Sequence, residues 1–252
     1  MTDQKIDARV PSDTSKTGPH TTGDSGNQAA HARRSAEECF DRGLQYDDAG
    51  NHVNALEWYR KAADQGYAVA QVILGWHYHT GEGVPQDDAE AVRWFRLATD
   101  QGHAQAQYRL GVAYRDGDGV RQDDAESVRW FRLAADQGDA VAQQSLGCVY
   151  REGKGVPQDD AESVRWFRLA AEQGRADAQH DLACSYRDGN GVPQDYVQAH
   201  MWYSLSASQS SEAEWGNRAK NRDLTAQRMT PDQLAEAQRL AREWDAAHPR
   251  EP

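Results

Sequence analysis

The chain repeats one sentence four times at a period of 36 residues, and this period restricts its fold more than any other property. The copies register on Gly66, Gly102, Gly138 and Gly174. Residues 124 to 138 (DAESVRWFRLAADQG) and 160 to 174 (DAESVRWFRLAAEQG) differ only at Asp136 against Glu172, and residues 88 to 102 differ from the former only at Ala91 and Thr99. A unit recurring every ~20 to 50 residues is one supersecondary element that cannot bury its apolar face alone and must stack on its neighbours.

Each unit reads as helix, Gly-rich loop, helix, tight turn. The loop Gly81-x-Gly83-Val84-Pro85-Gln86-Asp87 recurs at 117 to 123, 153 to 159 and 189 to 195, with glycines where positive φ is needed and Pro85 in the run-up to a helix. Asp87 with Glu90, Asp123 with Glu126, Asp159 with Glu162 and Asp195 with Gln198 have the spacing of an acidic capping box. These loops lack the alternating carboxylates and terminal Glu of a calcium loop. In the second helix Val92, Phe95 and Leu97 to Ala98 form the apolar stripe. Trp94, Trp130, Trp166 and Trp202 recur once per unit, as an inter-repeat core requires. Glu90 with Arg93, Glu126 with Arg129 and Glu162 with Arg165 are i,i+3 pairs, worth about 0.2 to 0.5 kcal/mol each on a solvated face.

Charge and composition exclude several functions. A net charge of -12 argues against nucleic acid or anionic lipid as partner, because both need a basic footprint. No apolar run approaches the ~18 residues of a membrane span, and the N-terminus lacks a secretory signal pattern, so the cytoplasm is the expected compartment, with leaderless export open. Cys39, Cys148 and Cys184 are too few for a disulfide framework, and Cys148 and Cys184, one period apart, read as free thiols. His77 and His79, two apart on a helix, point to different faces and cannot chelate one ion. There is no Walker loop, Gly-x-Ser-x-Gly or His-Glu-x-x-His, so neither catalysis, a metal nor a cofactor is expected.

The ends differ from the repeats. Residues 1 to 33, with Pro11 and Pro19 and no usable periodicity, read as a disordered polar leader. Residues 212 to 252 read as a linker and a capping helix. Thr230-Pro231-Asp232-Gln233 supplies that helix's N-cap, N1, N2 and N3, and Leu234, Ala237, Leu240, Ala241 and Trp244 its apolar stripe. Such a cap predicts a monomer, although Cys39 or an uncovered first helix leaves pairing open.

The first helices carry Leu74-Gly75-x-x-Tyr78, Leu110-Gly111-x-x-Tyr114, Leu146-Gly147-x-x-Tyr150 and Leu182-Ala183-x-x-Tyr186, followed by Ala91-x-x-x-Phe95 and its equivalents. These anchors resemble the tetratricopeptide repeat, and the longer period with its Gly-x-Gly-Val-x-Gln-Asp loop resembles the Sel-one-like repeat (SLR) family. The resemblance covers about residues 35 to 246, with four repeats at 68–103, 104–139, 140–175 and 176–211. Residues 34 to 67 are similar to an ordinary tetratricopeptide unit, because Gly43 to Trp58 spans 15 residues where Gly75 to Trp94 spans 19. The resemblance implies an all-α, right-handed α/α superhelical solenoid acting as an adaptor that holds a protein or peptide on its concave face. Some relatives are linked to β-lactam binding or hydrolysis, but those are disulfide-rich secreted forms whose cysteine pairs this chain lacks.

Comparison among the repeats themselves separates scaffold from surface. Ala70, Gln71, Leu74 and Tyr78 persist in every copy, while positions 69, 72, 76 and 79 and their equivalents vary and fall on one helical stripe, which in the resembled fold faces the groove. The stripe is apolar at first (Phe40, Leu44, Val72, Trp76, Tyr108, Val112), then carries Gln144, Cys148, His180 and Cys184, with Arg115, Arg151 and Arg187 at successive copies of position 79. Trp76, Tyr108, Arg115, Arg151 and Arg187 are the candidate partner contacts, since aromatics and arginines dominate interface energetics and guanidinium reads carboxylate bidentately. Two alternatives stay open: each Arg pairs with Asp116, Glu152 or Asp188 beside it, and Trp76 packs as core against Phe40 or Tyr108.

Overall fold

A computed structural model describes residues 25–208 and 212–249. The helices fall into two compact units, one ending at Gln122 and the other beginning at Asp123. The first holds α1 (Ser25–Asp48), α2 (His52–Asp64), α3 (Ala68–Thr80), α4 (Asp88–Thr99) and α5 (Ala104–Asp116). The second holds α6 (Asp124–Asp136), α7 (Ala140–Glu152), α8 (Asp160–Glu172), α9 (Ala176–Asp188), α10 (Tyr196–Ser208), α11 (Glu212–Ala226) and α12 (Pro231–Ala247). No strand occurs among the described residues.

Local chemistry sets the helix ends. Asp87, Asp123 and Asp159 each accept the backbone N–H three residues on, at 3.0 Å, and Asp195 accepts those of Val197 and Gln198. The Glu three residues after each of the first three caps turns outward to its Arg instead of returning to the cap: Glu90 to Arg93 at 3.0 Å, Glu126 to Arg129 at 3.2 Å, Glu162 to Arg165 at 2.9 Å. Thr230 and Gln233, at the start of α12, do close a full reciprocal box.

Packing within a hairpin depends on one small residue. A Cβ at Gly75 would come 2.6 Å from the Phe95 ring, and one at Gly147 would come 2.5 Å from Phe167, so glycine there lets the two helices close. Between hairpins a second glycine decides. Gly119, Gly155 and Gly191 have φ of +69°, +72° and +71°, and a Cβ on them would overlap the backbone carbonyls of Asp88, Asp124 and Asp160, each opening the second helix of the preceding repeat.

Polar bonds fix the same junctions. Arg96 donates to the Tyr114 hydroxyl at 3.1 Å and Arg168 to that of Tyr186 at 2.8 Å; Arg60 with Tyr78 and Arg132 with Tyr150 repeat the contact. The buried amides of Gln71, Gln143 and Gln179 donate to the carbonyls of Ala63, Ala135 and Ala171, satisfying groups that would otherwise be stranded in the core.

The ends depart from expectation. Helix α1 begins at Ser25, so residues 25 to 33, expected to be without structure, are helical; Gln28, Ala29, Ala30, Ala32, Arg33 and Arg34 are strong helix formers. Residues 1 to 24 of the expected leader lie outside the described residues. Residues 212 to 226, expected as linker, form α11. In α10 the position held by Arg93, Arg129 and Arg165 becomes Met201, 6% exposed, and the position of the exposed Leu97, Leu133 and Leu169 becomes Leu205, 1% exposed. Leu240, Ala241 and Trp244 of α12 pack on that cluster, with Trp244 edge-on to Trp202 at 6.0 Å.

Candidate partner-binding surface

In the first unit the candidate residues lie on the first helices α3 and α5. Trp76 is half-buried, with the Arg109 guanidinium 4.1 Å from its ring centroid. The same guanidinium lies 6.0 Å from the Tyr108 ring, and His79 lies 5.7 Å from Trp76 on its own helix. His79 Nδ1 is held by Asp88 at 2.7 Å, which orients the imidazole. An aromatic and cationic layer of His79, Trp76, Arg109 and Tyr108 results, partly open to solvent. A cavity of about 20 Å³, the size of one water, adjoins it between His79, Asp88, Arg109, Val112 and Asp118. Arg115 turns back on its neighbour, donating to both oxygens of Asp116 at 2.8 and 2.7 Å.

Not every residue of the expected stripe faces outward. Phe40 (3% exposed) packs against Tyr59 and Tyr67, and Val72 (0%) is sealed among Ala98 and Ala106; both belong to the core. Position 72 buries a small Val completely, whereas its larger equivalents Tyr108, Gln144 and His180 remain half-exposed.

In the second unit Arg151 and Arg187 lie on the first helices α7 and α9, each holding a carboxylate. Arg151 pairs with Asp181 of the next first helix at 2.8 Å, rather than with Glu152, and the same carboxylate accepts from Gln144 at 3.3 Å. Burial is the largest single influence and opposes the Arg151 charge, but the hydrogen bond and charge of Asp181, together with the nearby Cys148 and Glu152, outweigh it and hold the group above its ordinary pKa. Arg187 is bidentate on Asp188, both bonds 2.7 Å; that bond raises the Arg187 pKa and lowers that of Asp188. Arg115 and Arg187 thus follow the alternative of pairing with the acid beside them.

Arg109 and Asp181, the contacts that reach back to the preceding first helix, stand at one repeat position: Ile73, Arg109, Ser145, Asp181. That position varies as much as the stripe does, so repeat comparison held the signal one residue to the side.

The fourth repeat's stripe, Asp177, His180, Cys184 and Arg187, is partly covered. Arg218 of α11, 8% exposed, reaches Asp177 and donates to Ser206 Oγ at 2.9 Å, while Asn221 Nδ2 lies 3.0 Å from His180 Nε2. Cys184 Sγ sits 3.1 Å from the Tyr203 hydroxyl and 3.9 Å from His180 Nδ1. Burial raises the thiol pKa and lowers that of His180, so this pair rests as thiol and neutral imidazole, the opposite of an activated nucleophile.

The direction of the His180 shift gives an acid dependence. Folding favours the neutral ring, so its contribution is complete above the ordinary pKa of 6.5 and is lost as pH falls from there through the lowered folded value. Thermal melts of wild type and His180→Asn between pH 8 and 5 are expected to show wild type losing its advantage over the variant as acidity rises; a constant difference would refute this.

Among the described residues no helix is long and apolar enough to cross a membrane, and no group of three or more His, Cys, Asp or Glu is placed to hold a metal ion.

Stacked helical hairpins joined by identical contacts define a helical repeat protein of the solenoid class. The Sel1 repeat family model matches residues 29–67, 68–103, 104–139, 140–174 and 176–211. The chain belongs to the Sel1 repeat family. The family model includes 29–67, the unit whose shorter loop is similar to an ordinary tetratricopeptide unit, as a fifth copy. A Sel1 repeat protein from Oxalobacter formigenes is 30% identical over 88% of this chain and 89% of its own, with a TM-score of 0.70. A protective antigen of uropathogenic Escherichia coli displaying an SLR fold is 35% identical over 86% of this chain, which spans 56% of that protein, with a TM-score of 0.49. No curated protein matches the chain.

Proposed function

We propose that this protein is an interaction scaffold that holds a peptide or protein partner on its first-helix face, as an adaptor and without catalysing a reaction. The observation that carries this reading is the half-exposed layer of Trp76, Arg109 and Tyr108 on α3 and α5. Two aromatics and a guanidinium held in fixed geometry supply contact area at little entropic cost, the composition of an interface hot spot. Arg115, Arg151 and Arg187 extend the contact surface, exchanging internal carboxylates for those of a partner. The resting Cys184 thiol supports binding over hydrolysis, the small number of cysteines suits a reducing cytoplasm, and the packing of α12 on the cluster that holds Met201 and Leu205 suits a monomer.

The test is affinity purification with mass spectrometry on wild type beside Trp76→Ala and Arg109→Ala. A partner captured by wild type is expected to bind each variant at least about tenfold more weakly, with the melting temperature within a few degrees of wild type. Charge reversal of Arg115, Arg151 and Arg187 to Glu is expected to abolish capture. Undiminished capture by a folded Trp76→Ala variant would refute the assignment of this layer.

A further inference from the structure

Helix α11 packs on α10 and, through Arg218 and Asn221, reaches a strip of α9 that in the other repeats belongs to the variable first-helix face. Asp177, His180, Cys184 and Arg187 of α9 are the equivalents of positions 69, 72, 76 and 79. Among the described side chains of α11, those that reach α9 do so by polar contacts. Among the residues of α11 from 216 on, only Arg218, Ala219 and Thr225 are buried, while Leu224 is 47% exposed. Arg218 meets Asp177 and Ser206, and Asn221 meets His180. From residue 216 on α11 buries little apolar surface, and segments of that kind open at a lower free energy than the core beneath them. By contrast, α12 is anchored through Trp244, Leu240 and Ala241 on the cluster of α8 to α10.

We propose that α11 is a detachable cover of the α9 strip, and that the strip receives a helical partner segment presenting an arginine and, three residues later, an amide. This rests on the reading of the first-helix face as a partner surface. The occupant's chemistry follows from what the strip offers: a carboxylate at Asp177, a neutral imidazole acceptor at His180, and an overall acidic chain of net charge -12. Within α11 Arg218, Lys220 and Arg222 stand close together and are balanced by Glu212, Glu214 and Asp223, so the arginine that meets Asp177 is supplied by a helix of no net charge. An arginine entering here gains a charge-assisted bond to Asp177 that a lysine cannot make with the same fork geometry. Being tethered, α11 competes at high effective concentration, so an outside segment gains access only when the internal contacts are weakened.

The probe is a labelled synthetic peptide with the sequence of residues 212–228, titrated by fluorescence anisotropy against the full chain. Wild type is expected to bind it weakly. The Arg218→Ala/Asn221→Ala variant, its own cover loosened, is expected to bind at least about tenfold more tightly, and adding Asp177→Ala is expected to return binding to the wild-type level. Equal binding by wild type and the double variant, or indifference to Asp177→Ala, would overturn the proposal. Hydrogen exchange on wild type keeps the question decidable if the variant fails to fold: amides 216–226 are expected to exchange well before those of α9, α10 and α12. Exchange of α11 together with α10 in one step would overturn the proposal equally. No external partner enters either measurement, so failure here is separate from failure of the Trp76 layer.

Discussion

Replacing Gly155 with alanine is expected to destabilise the second unit by about 3 to 5 kcal/mol, enough to remove most of the stability of an ordinary domain. Two effects combine. The left-handed φ of +72° costs a residue with a Cβ about 1 to 2 kcal/mol, and the added methyl would overlap the backbone carbonyl of Asp124, a group that cannot move without disturbing the first turn of α6. Gly138 is the control. Its φ of +91° is equally left-handed, but a Cβ there meets nothing within 4 Å, so Gly138→Ala should show the backbone term alone, about 1 to 2 kcal/mol. Denaturant unfolding of the two variants separates the terms; equal losses would mean that the loop is not held against the preceding helix. Gly147→Ala should fall between them, because its neighbour is the Phe167 ring and can shift, as the fourth repeat shows by placing Ala183 in the same core as Tyr203.

The second large effect is expected at Met201. Arginine occupies the equivalent site in three repeats, where its side chain is 62 to 65% exposed over the adjacent Trp ring. In α10 the site is buried in the apolar cluster on which α12 packs, so Met201→Arg would place a charge there. A loss of about 3 kcal/mol and detachment of α12 are expected, seen as early hydrogen exchange over residues 231–247 with α7 to α9 still protected. The reciprocal change Arg165→Met gives up an exposed ion pair and an exposed contact with the Trp166 ring and should stay within about 1 kcal/mol. A stable Met201→Arg variant with protected α12 would show that the helix is anchored elsewhere.

What could be read from the sequence divides along the range of the interactions. The aspartate caps, the Trp ladder and the Thr230 box were legible because a few neighbouring residues determine them. The outward turn of Glu90, Glu126 and Glu162 was not, since a capping box and an i,i+3 ion pair claim the same side chain and spacing cannot choose between them. Helix α11 was read as linker because it lacks the apolar periodicity that marks a helix; Arg218 and Asn221 hold it through tertiary polar bonds. At the candidate surface, variability pointed to the first helices and to Trp76, which is half-exposed. It missed Arg109, which the neighbouring helix brings over the Trp76 ring, and it included Phe40 and Val72, whose variation is that of a core adjusting its volume.

The contact of Arg96 with Tyr114, repeated by Arg132 with Tyr150 and Arg168 with Tyr186, bears on how such a chain changes over generations. Each junction presents the same two chemical halves, so excising or duplicating 36 consecutive residues rejoins an arginine to a tyrosine it already fits. Length can therefore drift in whole modules by unequal exchange between near-identical coding segments, while the divergent first helices are free to acquire new specificities one module at a time.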